Sequence, residues 1–173
     1  SRRADGVGSE FDDGPLRGCK YLQRVGSISI VSARNTTADA AISAASLAQT
    51  AGTATTLSGL VTTSGVVTMA ATNFVLGAAG DITAGDAVSL TGTISTAGDV
   101  TTTNDAVSYI GAVTLTGATA INTGTGIGTV RFSTTLDGAQ NLTITAGTGA
   151  IDFDGIVGGT TDLAAISIVS AGA

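Results

Sequence analysis

Apolar and polar residues alternate in short runs along this chain, and glycines separate the runs. The clearest runs lie near the C-terminus, at 141–145, 151–154 and 166–168. Alternation with a period of two points successive side chains to opposite faces of a strand, whereas a helix needs a period of 3.6. The glycines at 147–149 and 155–159 interrupt the pattern where the chain would turn. The pattern therefore predicts short, half-buried strands joined by glycine turns.

The same alternation begins near residue 26 and continues through the chain. It predicts strands at 27–30, 66–70, 73–76, 86–91, 107–110, 112–116 and 129–133. Turns are predicted at 77–81, 83–86, 97–99 and 122–128. In the Ala- and Thr-rich part, Ile42, Leu47 and Leu57 are the predicted inward positions. A helix over 39–49 is an alternative, since Ala, Ile and Leu recur there three and four residues apart.

Strand, glycine turn and strand, with no helical period between them, predict an all-β coil of stacked strands, a β-solenoid. Val88 and Val113 are similar inward positions 25 residues apart, and Leu142 and Ile166 are 24 residues apart. Rungs of two or three short strands would account for this spacing. With ~24 residues per rung, the repeat part would make about six turns. At ~4.8 Å per rung the rod would be on the order of 30 Å long.

Composition divides the chain near Val25. Residues 1–24 hold five of the seven positive charges, the only proline and the only cysteine, Cys19. Residues 25–173 hold two arginines and nine aspartates, a local net charge of −7. We therefore expect an irregular, polar N-terminal arm or cap in 1–24 and one solenoid domain in 25–173. A cap would shield the strand edges of the first rung, and the alternative is a leader without a structural role.

Composition also excludes several classes of function. Aromatic residues make up 3% of the chain against 43% apolar residues, so the core consists of small aliphatic side chains and suits a narrow interior. The net charge of −6 is opposite to the basic footprint of a nucleic-acid-binding protein. An apolar run of about eighteen residues is absent, so we expect no membrane span. The N-terminal residues do not have the pattern of a signal peptide.

Histidine is absent, which removes Ser-His-Asp catalysis and imidazole zinc sites. Cys19 has no histidine partner and is predicted to be a free thiol. Asp152 and Asp154 are the best carboxylate pair, because two residues on one strand face the same side. A cleft that joined them to Arg131 would support a carbohydrate-active β-helix enzyme, our second hypothesis. A solvated outer face explains both carboxylates without activity, so we predict no enzyme, no catalytic residue and no cofactor-binding residue.

Calcium is the one cofactor that the sequence leaves open. Aspartates beside glycine or asparagine occur in predicted turns at Asp81, Asp86, Asp99, Asp105 and Asp137. Oxygen ligands could converge in such turns. The chain lacks the Gly-Gly-x-Gly-x-Asp calcium repeat, however, and aspartate in a turn ordinarily bonds nearby backbone N–H groups. The glycines at 124, 126 and 128 lack the spacing and the lysine of a phosphate loop, and we interpret them as turn residues.

Thr-x-Thr pairs raise a third hypothesis, an ice- or mineral-binding solenoid. They occur at 101 and 103, at 114 and 116, and at 143 and 145. Stacked outward threonines form flat ladders, but that function requires a regular array. The predicted rungs vary in length, and Ser89, Ser167 or Asp152 take the equivalent positions. Threonine is also simply a good strand residue.

A longer repeat is also present. The segment SISIVSA at 27–33 recurs as AISIVSA at 165–171, 138 positions later. We expect that the chain spans one large repeat and enters the next. Either the parent protein then continues after residue 173, or the open end stacks on another molecule.

Four segments carry a resemblance to a known class of repeats: NLTITAGTG at 141–149, AIDFDGIVGG at 150–159, DVTTTNDAVS at 99–108 and GAVTLTG at 111–117. They resemble the β-strand repeat regions of large bacterial surface proteins of the filamentous haemagglutinin and autotransporter-adhesin type. The resemblance covers about 25–173. It implies a right-handed parallel β-helix, export to the cell surface, and a role as stalk, adhesin or matrix fibre. Residues 1–24 do not resemble the N-terminal secretion domain of such proteins.

From these observations we expect a structural segment of a bacterial extracellular or cell-surface fibre or adhesin. The rungs would assemble by head-to-tail stacking, between copies or within a longer chain. A host or matrix glycan is the candidate partner, and we expect neither nucleic acid nor a membrane span.

Overall fold

The structure, a computed structural model, describes residues 25–172. These residues form seventeen parallel β-strands and no helix, which confirms the predicted all-β solenoid. The strands are β1 (Val25–Ile30), β2 (Ala33–Ala38), β3 (Ile42–Gln49), β4 (Gly52–Leu57), β5 (Val61–Thr63), β6 (Val67–Leu76), β7 (Ile82–Ala84), β8 (Val88–Thr96), β9 (Val100–Thr101), β10 (Val107–Ile110), β11 (Val113–Leu115), β12 (Thr119–Asn122), β13 (Val130–Phe132), β14 (Leu136–Asp137), β15 (Asn141–Thr145), β16 (Ile151–Phe153) and β17 (Ala165–Ser170). The predicted N-terminal arm and Cys19 lie outside the described residues.

The coil has three sides, which we name faces A, B and C. Face A consists of β1, the second part of β3, the first parts of β6 and β8, and then β10, β13 and β16. Face B consists of β2, β4, the second parts of β6 and β8, and then β11 and β14. Face C consists of the first part of β3 and then β5, β7, β9, β12, β15 and β17. Each strand pairs with the strand one turn further along, so backbone hydrogen bonds run parallel to the rod axis.

The rungs are more variable in length than the sequence indicated, and several are shorter. The rung from Ile82 to Val100 is among the shortest, and the rung from Thr145 to Ser170 is among the longest. The described residues therefore make about seven turns, where the sequence had predicted six. At ~4.8 Å per rung, seven turns still give a rod about 30 Å long.

The alternative of a helix over 39–49 is wrong. Residues Ile42–Gln49 form β3, which pairs with β1 on one side and with β5 and β6 on the other. Ala44 and Leu47 point into the core. Ladder bonds to two neighbouring rungs outweigh the helix propensity of the alanines, which amounts to less than ~1 kcal/mol per residue.

Apolar side chains stack into inward columns that run through the rod. On face A, Val67, Val88, Val107 and Val130 follow one another in register, and all four are buried. The predicted inward residues Leu47 and Leu57 are buried as well. Since each column places similar side chains one rung apart, small aliphatic residues fill a narrow interior at close packing.

Three aromatic residues share one such column on face A. The rings of Tyr109 and Phe132 are stacked with centroids 5.0 Å apart and an interplanar angle of 2°. Phe132 and Phe153 continue the stack at 5.3 Å and 5°. The parallel register of β10, β13 and β16 places the three rings directly above one another. They hold the last three rungs of this face together.

One buried amide lies at a corner between faces A and B. Gln49 is only 1% exposed. Its Nε2 donates hydrogen bonds to Thr55 Oγ1 at 2.7 Å and to the carbonyl oxygen of Ala70 at 3.0 Å. These two bonds connect Gln49 to the corner at which the third rung bends, while Gln49 Oε1 is buried without a hydrogen-bond partner among the described residues.

The two near-identical SISIVSA segments occupy different faces. Ile28 lies in β1 on face A and pairs with Leu47, whereas Ile166 lies in β17 on face C and pairs with Leu142. The interval between the two segments is therefore not a whole number of turns. The expected large repeat does not correspond to a structural repeat of this solenoid.

Candidate functional site

The structure brings the three candidate catalytic residues together on face A. Arg131 and Asp152 are register partners in β13 and β16. Arg131 also forms an ion pair with Asp154, with Nη2 at 2.6 Å and Nε at 2.7 Å from Oδ2. The side chains of Arg131 and Asp154 are 57% and 36% exposed. The three residues thus form a solvent-exposed cluster on an outward strand face, and an exposed ion pair contributes at most ~1 kcal/mol to stability.

Three of the five candidate calcium ligands accept backbone hydrogen bonds across the rungs. Asp81 Oδ1 accepts from the N–H of Asp99 at 2.8 Å, and Asp99 Oδ1 accepts from the N–H of Ala120 at 2.7 Å. Asp137 Oδ1 accepts from the N–H of Thr160 at 2.7 Å. In each case the donor lies one rung further along. Within residues 25–172, no three acidic or cysteine side chains lie close enough to hold a metal ion.

The glycine-rich segment between β12 and β13 is a turn. The N–H of Gly126 donates to Asn104 Oδ1 at 2.6 Å, which ties the turn to the one in the rung before it. A strand follows the segment, where a phosphate loop would lead into a helix. The interpretation as turn glycines is confirmed.

The Thr-x-Thr pairs do not form a single array. Thr114 lies on face B, whereas Thr101, Thr143 and Thr145 lie on face C. A regular two-row threonine surface is therefore not built from these motifs.

Face C carries a different regular feature, which the motifs did not reveal. Seven outward positions in seven successive rungs are in register, and each holds an uncharged side chain that can form hydrogen bonds. The residues, which we call the face C row, are Ser43, Thr62, Thr83, Thr101, Asn122, Thr145 and Ser170. With one residue per rung at ~4.8 Å, the row is about 29 Å long.

The corresponding outward rows on the other two faces are interrupted. On face A the row contains Ala48 and ends with Arg131 and Asp152. On face B it contains Val75 and ends with Asp137. Among the described residues, the face C row is thus the one outward row that is hydrogen-bonding and uncharged throughout.

A shallow hollow lies beside the face C row. Its volume is about 280 Å³, and it is lined by Asp99, Ala118, Thr119, Ala120, Asn141 and Thr143. Several of these belong to the row that flanks the face C row, formed by Leu60, Asp81, Asp99, Ala120, Thr143 and Ser167. The hollow provides a carboxylate, an amide and a hydroxyl group at one place on the surface.

Tyr109 is a buried ionisable group below the surface. Its ring is 1% exposed, and its hydroxyl has no hydrogen-bond partner within the described residues. Burial raises the pKa of Tyr109 well above its usual value of 10.0, and the negative charge of Asp99 raises it further. The neutral phenol is therefore strongly favoured in the folded state, so Tyr109 contributes to packing and is unsuited to acid–base chemistry near neutral pH.

Because Tyr109 is buried, we expect the free energy of unfolding to fall at alkaline pH. The folded-state pKa is the higher one, so the contribution of Tyr109 is complete below pH ~10 and is lost as the pH rises beyond it. The unfolded chain then releases a proton that the folded chain retains, at about 1.4 kcal/mol per pH unit. We expect Tyr109→Phe to reduce this loss and to leave stability near pH 7 within about 1 kcal/mol of the parent chain. Urea unfolding between pH 7 and pH 11.5 measures the free energy of unfolding of both proteins. Tyr21 is present in both, so its ionisation does not contribute to the difference between them. Identical pH profiles of the two proteins would contradict the prediction.

The two ends of the described rod are apolar. Ile166 and Ile168 take inward positions in β17 but are 42% and 52% exposed, because β17 is in the last rung of the described residues. At the other end, Ile28 and Ile30 in β1 are half-buried. Within residues 25–172, both ends also carry strand edges without a neighbouring strand, and such edges are templates for another strand.

Residues 25–172 include no helix that is long and apolar enough to cross a membrane. A scan against protein-family models, a search of curated proteins and a search of solved structures each gave no match. Fold and surface chemistry are therefore the basis for assigning a function to this β-solenoid.

Proposed function

We propose that the chain is a non-enzymatic structural segment of a bacterial extracellular or cell-surface fibre or adhesin, assembled by the stacking of β-rungs. The observation that carries this proposal is the continuity of the inward columns, which reach both ends of the rod with apolar side chains. The resemblance to the repeat regions of bacterial surface proteins supports the proposed extracellular or cell-surface location. The role is mechanical support. The stability of the rod is a sum over contacts between neighbouring rungs, so each added rung lengthens the rod without destabilising it.

The geometry of the two ends suits head-to-tail contact. Translation along the axis keeps all strands parallel, so the last rung of one copy can pair with the first rung of the next. On face A, Ile151 and Phe153 would then meet Ile28 and Ile30 of the next copy, since these residues belong to the same two inward columns. On face C, Ile168 would meet Ile42. Burial of this apolar surface stabilises the contact by about 25 cal/mol per Å².

Ile168→Asp tests the stacking. A carboxylate at an inward position would be buried without a partner in the stack, so we expect association to weaken at least about tenfold. Ser167→Asp is the matched control, because it adds the same charge at an outward position of the same strand. Both side chains are exposed in the single rod, so both variants should fold.

Electron microscopy and light scattering over a range of concentrations give the result. We expect filaments of the parent chain and of Ser167→Asp, and short rods of Ile168→Asp. Single rods of the parent chain at every concentration would refute assembly between copies.

A further inference from the structure

We propose that face C is a binding surface for a linear, neutral polysaccharide that lies along the rod axis. The inference rests on the proposed function as a surface fibre and deepens it, since it names the ligand class and the residues that contact the ligand.

The first argument is the chemistry of the face C row. It offers one hydroxyl or amide group per rung over seven rungs, and it contains no charge. A linear polysaccharide likewise offers hydroxyl groups at each successive sugar, so donors and acceptors can pair repeatedly along one line. The row itself carries no charge, and Asp81 and Asp99 flank it in a chain of net charge −6, so an acidic polymer would be repelled and a neutral polymer is favoured over it.

The second argument is that the face C row is regular along the rod axis only and not across the face. The flanking row is mixed, since it contains the aliphatic Leu60, the carboxylates of Asp81 and Asp99, and the hydroxyl groups of Thr143 and Ser167. An ice or mineral lattice would need a regular surface in two directions, whereas a polymer chain needs a single row. The observed pattern therefore fits the polymer better than the lattice.

The third argument is the hollow of about 280 Å³ beside the row. Asn141 and Thr143 line it together with Asp99. One oxygen of Asp99 accepts the N–H of Ala120, and the second remains for a sugar hydroxyl. A sugar that lies on the row at this place would have these polar groups beside it, which would favour one position of the polymer.

Aromatic side chains do not contribute to the proposed binding of the polysaccharide on face C. The aromatic residues of the described chain lie inward on faces A and B, so none forms a platform on face C. Each sugar would then be held by hydrogen bonds alone, which contribute little individually in water. We expect affinity to rise with the number of sugars, because each further contact within one complex is intramolecular.

The test compares matched triple variants. Thr62→Ala, Thr83→Ala and Thr101→Ala together remove the hydroxyl groups of three successive members of the face C row. Thr37→Ala, Thr56→Ala and Thr114→Ala together remove three outward threonines from face B as the control, and circular dichroism checks that both variants fold. Co-sedimentation with cellulose, chitin and insoluble β-1,3-glucan measures retention. We expect the face C variant to bind at least about tenfold more weakly to the polysaccharide that the parent retains, and the control to change less than about twofold.

Three results would overturn the inference: equal losses in the two variants, retention on none of the neutral polysaccharides, or binding confined to sulfated or uronic acid polymers. Inhibition of ice recrystallisation that depends on the face C row would also overturn it, because ordered water would then be the ligand. Electron microscopy of the same samples separates the two proposals. Filaments that bind no polysaccharide would refute only the face C inference, and single rods that bind one would refute only the stacking.

Discussion

Replacement of Phe132 by alanine is expected to lower the free energy of unfolding by about 3–5 kcal/mol. Phe132 is 1% exposed and lies between the rings of Tyr109 and Phe153, at centroid distances of 5.0 and 5.3 Å. Truncation would remove both ring contacts and leave a cavity inside the rod. Relaxation can fill little of it, because the rungs above and below are fixed by the backbone ladder.

Phe153→Ala is the matched control, since it makes the same change in the same column. Phe153 lies in the last described rung of face A, is half-buried, and stacks on one ring only. We expect its loss to be less than half that of Phe132→Ala, or about 1–2 kcal/mol. Urea unfolding followed by circular dichroism measures both. Equal losses would show that the aromatic column does not connect the rungs as described.

The strand positions could be predicted because they depend on local alternation. The segment 107–110 is β10, and Leu142 and Ile144 are fully buried, as their pattern indicated. A period of two determines which residues point inward without reference to the rest of the fold. Boundaries were less certain where a strand continues around a corner. The segments 66–70 and 73–76 are thus parts of one strand, β6, which bends between them.

The number of turns could not be predicted, because the three faces have the same chemistry. Val88 and Val113 are both buried valines, but Val88 pairs with Val107 on face A and Val113 pairs with Ile94 on face B. The interval between Val88 and Val113 therefore spans more than one turn. Only the backbone pairing shows which face a strand belongs to, and apolar alternation does not encode it.

The face C row could not be predicted either, because the sequence does not show which strands share a face. The spacing of its members along the sequence changes from rung to rung, since the corner loops differ in length. The Thr-x-Thr pairs contain two of its members, Thr101 and Thr145, but they also contain Thr114, which belongs to face B. The role of the turn aspartates, by contrast, could be predicted from the sequence. Their interpretation as turn residues that bond backbone N–H groups agreed with the structure for Asp81, Asp86, Asp99 and Asp137, although only the donor to Asp86 is a neighbour in sequence.

Gly111 lies at a corner between faces A and B where a side chain cannot be accommodated. Its φ is +133°, and Gly92, one rung earlier, has a φ of +132°. Only glycine adopts this region of backbone conformation readily. A Cβ atom on Gly111 would also overlap the carbonyl oxygen of Gly92. The conformation lets the chain turn the corner while successive rungs remain at the spacing of a parallel ladder.

We therefore expect Gly111→Ala to lower the free energy of unfolding by at least about 2 kcal/mol, from backbone strain and the clash together. Gly26→Ala is the control, because Gly26 lies in β1 without a positive φ, and apart from its chain neighbours no atom of the described residues lies within 4 Å of its Cβ position. That variant should change stability by less than about 1 kcal/mol, and it could stabilise the fold by restricting the unfolded chain. Thermal and urea unfolding of both variants decide the matter. If Gly111→Ala were as stable as Gly26→Ala, the corner would tolerate a side chain, and the rung spacing there would not depend on glycine.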